Sequence, residues 1–526
     1  MKHILMVAAI VAIALAGCVG DDDNENPGTP AKAECEFGYV DEKGVNVVDT
    51  TANVMPYEFD ADLNEWTALD PWNAEYTNFR TCTLEEVGHH PLRFNGDTPD
   101  PHKYLGEIDM RGDLNLGAVA VLGNGEDPMV YLLDITNRTH PEVLSVITQF
   151  DTYVVDVKIS DDGNHLFTAS QNIPAGAGAI PTDPLAVTPP TGFTIYDISD
   201  PADPVFQQFV VNVDDIGCHM ISHEVIDGTE VVFCVGQHVS AHGFVPVADG
   251  LPWAYLGAFQ YLLPDGSGTL APGACVNDLI AAGDPTGLLC SGPHDMTVAV
   301  DPVDGNTYMT VSHWNEGLRV VDVSAPVTDG FVTVGSWNGE GATHYDGNVH
   351  TAMMAWVGDT RYVIATPEMT YSGVVPAMWV LNATDLSNME LVAEWYNPQE
   401  IPTPGLLTTL HQWQVAPTGP DVAAEDVNIY ITMNHAGLWV LDFERILAGD
   451  LVGAIGGFHM ARGQLDQSTA VGNAILSTWD VNVVDGFSMM TFEELSTRRH
   501  AKRWHWAQPI GLRRSSQAQQ SPLKAM

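Results

Sequence analysis

"FTIYDISDPADPVFQQF" runs from Phe193 to Phe209. A short run of β-type residues leads into Asp197, a Ser/Asp-Pro turn follows, and a second apolar run closes the stretch. Asp and Ser side chains at such a place bond the backbone two residues on, which stops one strand and starts a turn. The same order returns as "VYLLDITNRTHPEVLSV" around Asp134, "LRVVDVSAPVTDGFVTV" around Asp322, "MWVLNATDLSNMELVAEW" around Asn382 and "LWVLDFERILAGDLVGA" around Asp442. A degenerate copy is read at "LGAFQYLLPDG", near Phe259. Successive copies lie 63, about 62, about 63, 60 and 60 residues apart. A period this regular marks a repeat architecture.

Two further strands joined by a Gly-bearing turn precede each copy, as in "YVVDVKISDDGNHLFTAS" (Tyr153 to Ser170) and "NVHTAMMAWVGDTRYVIAT" (Asn348 to Thr366). With the strand after the signature, each unit has four strands. Such units repeated radially make an all-β fold, a β-propeller of four-stranded antiparallel blades, which leaves only short protected edges. "FTIYDISDPADPVFQQF" and "GLRVVDVSAPV" closely resemble LVIVD repeats, over roughly residues 105–490. The resemblance implies a propeller on an exported protein, often lipid-anchored, and implies no activity.

The period predicts seven blades. The seventh signature is due near residue 502, and "TWDVNVVDGFSMMT" (Thr478 to Thr491) reads as its inner hairpin. From Arg498 to Met526, however, there are seven Lys/Arg and no Asp or Glu, whereas residues 1–497 hold 13 basic and 68 acidic residues. The last blade is therefore expected to be incomplete or altered. The tail is either non-native or disordered sequence or a functional basic segment. Alternatively, "VNVVD" (Val45 to Asp49) closes the ring from the N-terminal side.

At the other end, Lys2 and His3 precede an apolar run from Ile4 to Ala16 that is too short to cross a bilayer, which reads as an export signal. "LAGC" (Leu15 to Cys18) resembles a prokaryotic lipobox. That resemblance implies cleavage before Cys18 and lipid on its sulfur, outside the cytoplasmic membrane or on the cell envelope. A plain signal peptide is the other reading. The expected organisation is a lipoprotein signal over 1–17, an acidic tether over 18–34, an N-terminal extension packing on the propeller over 35–104, the propeller over 105–497 and the basic tail over 498–526.

The formal net charge is -48. That argues against nucleic acid and anionic membrane as partners and favours a strongly hydrated surface, divalent cations or a saline habitat. The lipid anchor is then the only membrane contact expected. Six cysteines besides Cys18 in an exported chain suggest disulfides. Cys218 and Cys234 flank a hairpin with the turn "IDGTE" and are paired on that ground. Cys275 with Cys290, and Cys35 with Cys82, are the remaining candidates.

Nineteen histidines are present, and their register is the informative part. Aligned on the turn glycine, His219, His294, His350 and His411 fall at the start of the inner strand in four consecutive blades, where Asp156 and Trp479-Asp480 stand in the flanking ones. The loop after the second strand returns to the same channel mouth. That loop is expected to hold His238 and His242 in one blade, His313 in the next and His435 in another. Imidazoles and carboxylates converging there suit copper or a divalent first-row ion. His313, His435, Asp156 and Asp295 are nearby candidate ligands. A wet channel also needs polar side chains, so the same histidines can simply bond neighbouring blades. "DDGNH" (Asp161 to His165) has the acidity of a calcium loop without its twelve-residue pattern and reads as a turn. His140, His165 and His344 are expected in solvated turns.

Two functions follow. One is a lipid-anchored cell-surface propeller that binds a surface protein or glycan, with inserts at 172–191 and 238–256 as contact loops. The other is a metal-dependent oxidoreductase with its site at one mouth of the channel.

Overall fold

Most middle strands are apolar along their whole length because a blade is covered on both faces by its neighbours. Leu116–Val121 is buried at every residue, and Ala377–Asn382 is buried at all but its last. Outer strands such as Glu142–Thr148 alternate instead, as a half-solvated edge does. The computed structural model describes, with side chains, Leu92 and residues 105–121, 130–148, 154–170, 192–210, 218–236, 239, 241–243, 256, 293–313, 317–325, 331–345, 347–367, 375–397, 410–433, 437–457 and 480–491, together with the backbone of the strands named below.

Six blades follow one another, each a four-stranded antiparallel meander from the inner to the outer edge. Their inner strands are Leu105–Arg111, Val157–Ile159, Met220–Ile226, Pro293–Val300, Thr351–Val357 and Leu410–Ala416. A seventh sheet begins with Leu476–Val484 and Phe487–Glu494, takes Ile510–Arg514 from the basic tail as its third strand, and ends on Leu84–His89. Leu84–His89, and not "VNVVD", therefore completes that sheet; Asn46–Val48 lies in a separate three-stranded sheet. Asn78–Arg80 adds a fifth strand to the sixth blade. Each inner strand neighbours those before and after it, and Leu476–Val484 sits between Leu410–Ala416 and Leu105–Arg111, so the ring closes. The core accordingly lies in the seams between blades. Trp395, Trp413 and Trp439 share one such seam, while Val484 and Met489 of the seventh blade pack with Leu105, Ile108 and Leu133 of the first.

The signature ends the third strand in five blades, and the side-chain oxygen of its Asp or Asn makes the turn. Asp197 Oδ1 accepts from Ser199 N (3.0 Å) and Oγ (2.7 Å), and Asp322 Oδ1 accepts from Ser324 N (2.9 Å) and Oγ (2.7 Å). Asp134 and Asn382 do the same for Thr136 N and Thr384 N. In the sixth blade Asp442 instead caps the short helix Phe443–Leu447. Gly317 opens the signature strand with φ +78°, and a Cβ there would lie 2.1 Å from the Trp337 carbonyl oxygen. A left-handed backbone and close approach together demand glycine at that position.

The third blade departs from the sequence expectation. Its third strand is Val239–Phe244 and its outer strand is Trp253–Phe259. The degenerate copy near Phe259 thus begins on the outer strand, and residues 238–256 contain strands where an insert was expected. "VSAHGF" has no Asp and little apolar run, which hid it. The insert 172–191 lies outside the described residues.

Candidate functional site at the channel mouth

Four histidines from four consecutive blades meet where the inner strands begin. His294 and His411 are the second residues of Pro293–Val300 and Leu410–Ala416, and a β-bulge at each strand start turns the chain locally. His219 and His350 immediately precede their strands, each donating its backbone N–H to the second strand of its own blade, at Val235 O (2.6 Å) and Thr366 O (2.7 Å). Beside His219, Cys218 is disulfide-bonded to Cys234, as the hairpin spacing predicted. A loop of that length is worth about 3 kcal/mol. Cys275, Cys290, Cys35 and Cys82 lie outside the residues whose side chains are described.

The imidazoles form a contiguous row. Ring centres are 4.4 Å apart for His219 and His294, 4.4 Å for His294 and His350, and 4.7 Å for His350 and His411. Burial pushes His219 down to about 4, helped by His411. It also holds His294 and His350 well below the usual range, with repulsion from the other members of the row adding to the effect. These three imidazoles are therefore neutral at neutral pH, the form that binds metals.

One residue further in lies a buried polar layer: Glu107, Asp156, Asp295, Thr351, Gln412 and Asp480, with Met220 in the remaining blade. Backbone bonds fix the equivalence. Asp156 accepts from Val157 N and from Ile221 N of the next blade, and Asp480 accepts from Val481 N and Ile108 N across the closure. Asp295 likewise accepts from Met296 N. Asp156 and Asp480 therefore sit one residue deeper than the histidines, and Val155 and Gly106 hold the row's level in the second and first blades. This corrects the alignment on the turn glycine, because hairpin length varies from blade to blade.

The two levels are joined. Thr351 Oγ1 lies 2.7 Å from His350 Nδ1, 2.8 Å from Asp295 Oδ2 and 3.2 Å from Gln412 Oε1. Gln412 Nε2 donates to Glu107 Oε1 (3.3 Å) and Asp295 Oδ2 (3.4 Å). Burial raises the carboxyls: Asp295 up to about 7, and Glu107 well above its ordinary value with Asp480 beside it adding to the rise. Asp156 is also raised by burial, against the pull of Lys158, whose Nζ lies 2.6 Å away.

The other expected residues scatter. His313 ends the second strand of the fourth blade, 1% exposed, with burial holding it at about 3, one strand out from the row. His435 and His238 lie outside the described residues. His242 is not in a loop: it stands in the third strand of its blade, edge-on to Phe193 at 5.2 Å. His165 and His344 are not solvated but half-buried against Glu230 and Glu394. Sequence reading missed Glu107, Thr351, Gln412 and Lys158. For Glu107, Thr351 and Gln412 the signal was a polar residue near the start of the inner strand, visible only once strand starts were aligned blade by blade; Lys158 lies inside its short strand and carried none.

His242 gives a pH prediction. Burial lowers it to about 4, against about 6.5 when unfolded. The unfolded chain therefore binds more protons between those values, and stability falls as pH falls through that window. His242→Phe should lessen the stability lost between pH 7 and pH 5 by about 2 kcal/mol, read from urea midpoints at both pH values. Equal losses in both proteins would contradict it.

The LVIVD repeat family matches residues 190–212 and 302–332. No curated protein matches the sequence. Among solved structures, Chaetomium thermophilum Sqt1 bound to the N-terminus of ribosomal protein L10 is similar at 12% identity, covering 77% of this chain and 85% of that one, with a TM-score of 0.43. Saccharomyces cerevisiae Sqt1 is similar at 8% identity, covering 77% and 82%, with a TM-score of 0.43. The RRP9 WD40 repeats are similar at 10% identity, covering 82% and 100%, with a TM-score of 0.43.

Proposed function

We propose that this LVIVD-repeat propeller is an exported, lipid-anchored binding module whose ligand site is the channel mouth. The ligand there is a first-row transition-metal ion, copper or another divalent cation, held by His219, His294, His350 and His411. One observation carries this reading: neighbouring blades bring four imidazoles to ring separations of 4.4, 4.4 and 4.7 Å. With metal–nitrogen bonds of about 2.0–2.1 Å, a ring centre lies roughly 3.2 Å from the ion, and two rings at right angles on one ion are about 4.5 Å apart. Each neighbouring pair thus has the spacing of two imidazoles on one ion, and binding by all four requires the rings to turn their nitrogens toward it. The acidic surface supports a cation as ligand, and the apolar run before "LAGC" supports export and lipid at Cys18.

A second reading, metal-dependent redox catalysis at the same ion, is favoured by the bond path from His350 Nδ1 through Thr351 to Asp295, which offers a route for a proton.

Metal analysis of chelator-washed, copper- or zinc-reloaded and desalted protein tests the site. At least one ion per chain should be retained, and one ion should be lost in His294→Ala/His350→Ala. Sub-stoichiometric metal in the wild type overturns the reading, as does equal metal in the variant. Cys18→Ser should release the protein from the membrane fraction; unchanged fractionation would remove the anchor.

A further inference from the structure

The acidic "DDGNH" turn, left without a role by the channel mouth, belongs to a second cluster at the other end of the blades. Inner strands start at the mouth, so their first hairpin turns lie on the opposite face. Asp162 sits in that turn of the second blade, and His165 is the first residue of the strand that follows, His165–Ser170. Glu230, from the corresponding hairpin of the third blade, lies in Thr229–Val235. His165 Nδ1 is 3.0 Å from Glu230 Oε2, and His223 Nε2 is 3.1 Å from Glu230 Oε1. Each oxygen of one carboxylate thus faces its own imidazole. Ligand atoms of Asp162, His165 and Glu230 all lie within 4.8 Å of one another.

We propose that this cluster is a second metal site. It takes Zn²⁺ or a similar first-row divalent ion through His165 Nδ1, Glu230 Oε2 and an Asp162 oxygen. One imidazole and two carboxylates form a donor set that such ions accept, at about 2.0–2.2 Å per bond. Two donors on a tetrahedral ion then stand roughly 3.4 Å apart, close to the His165–Glu230 separation. Asp162 and Glu230 bring like charges together from two blades, an arrangement that a cation between them stabilises. Solvent reaches the site, since Asp162 is exposed while His165 and Glu230 keep 16% and 15% of their side-chain surface. The fourth position is left for water.

The surroundings are built to hold these donors. The His223 ring stacks on Phe167, with centres 5.2 Å apart and planes 21° apart. It thereby acts as a positioning residue that fixes Glu230 through Oε1, the role outer partners play around metal ligands. Asp162 is held by Ser160 Oγ (2.8 Å), Asn164 N (2.9 Å) and Asn164 Nδ2 (2.7 Å). A bound ion would tie the second blade to the third.

The experiment is a calorimetric Zn²⁺ titration of the chelator-washed full chain carrying His294→Ala/His350→Ala, which removes the two central ligands of the mouth. One Zn²⁺ should bind per chain. Adding His165→Ala should weaken it by at least a hundredfold, and adding His223→Ala by about tenfold to a hundredfold, with His223→Gln restoring part of the loss. Asp162→Asn, on an exposed turn, reads the same site should His165→Ala fail to fold. Absence of Zn²⁺ binding in the double-variant background overturns the proposal. So does affinity unchanged by His165→Ala and Asp162→Asn, which would leave the cluster an ion pair only. Because the row's two central histidines are absent throughout, either outcome is distinguishable from a failure of the channel-mouth reading.

Discussion

Replacing Asp156 with alanine is expected to cost about 3–5 kcal/mol, the scale seen when one partner of a buried ion pair is removed. Asp156 is fully buried and accepts from Val157 N (2.7 Å) and from Ile221 N of the adjacent blade (2.9 Å). Its third partner is Lys158 Nζ at 2.6 Å. Burial works against the Lys158 charge, and Asp156 with Asp109 more than offsets that, so its pKa stays above the ordinary value. Alanine would take away that ammonium's nearest counter-charge, leaving the more distant Asp109, and would leave two backbone N–H groups without their acceptor. Asp156→Asn keeps an acceptor and loses the ion pair, so its cost should be smaller. Urea unfolding of the three proteins measures this. A loss below about 1 kcal/mol for the alanine variant would mean that the polar layer does not staple the blades.

The double variant His294→Ala/His350→Ala should lose metal affinity by at least a hundredfold, since disturbing even an outer partner of a ligand costs about tenfold to a hundredfold. The two residues are the centre of the row, in contact with each other and with His219 and His411. Removing them separates the end members, and no two adjacent rings remain. The fold should survive, because burial holds both imidazoles neutral, so their loss removes no buried charge. Its unfolding midpoint should therefore shift less than that of Asp156→Ala. A variant that keeps its metal would assign the ion elsewhere.

Much of this architecture is legible in the amino-acid order, for a local reason. The Asp-x-Ser and Asp-Pro turns act within two or three residues, so "YDIS" and "VDVS" announce their hydrogen bonds directly. The Cys218–Cys234 pair was likewise legible, since a tight hairpin sets both partners. The row of histidines could be read because a repeat puts equivalent residues on one circle. What escaped depends on neighbours distant in sequence. Glu107 meets Asp480 only because the ring closes, and Glu230 meets His165 only because two blades lie side by side. Bulges at the starts of four inner strands shift the register by a residue, which a count from the turn cannot show. The third blade's missing signature moved its expected strands outward by one.

The most direct test of the channel mouth as a metal site is X-ray absorption at the zinc edge. The sample is zinc-loaded protein carrying His165→Ala, which disables the cluster on the opposite face. Three or four imidazole nitrogens at about 2.0–2.1 Å are predicted, and their signal should vanish when His294→Ala and His350→Ala are added. A spectrum dominated by oxygen donors, or one that the loss of both histidines leaves unchanged, would contradict the account.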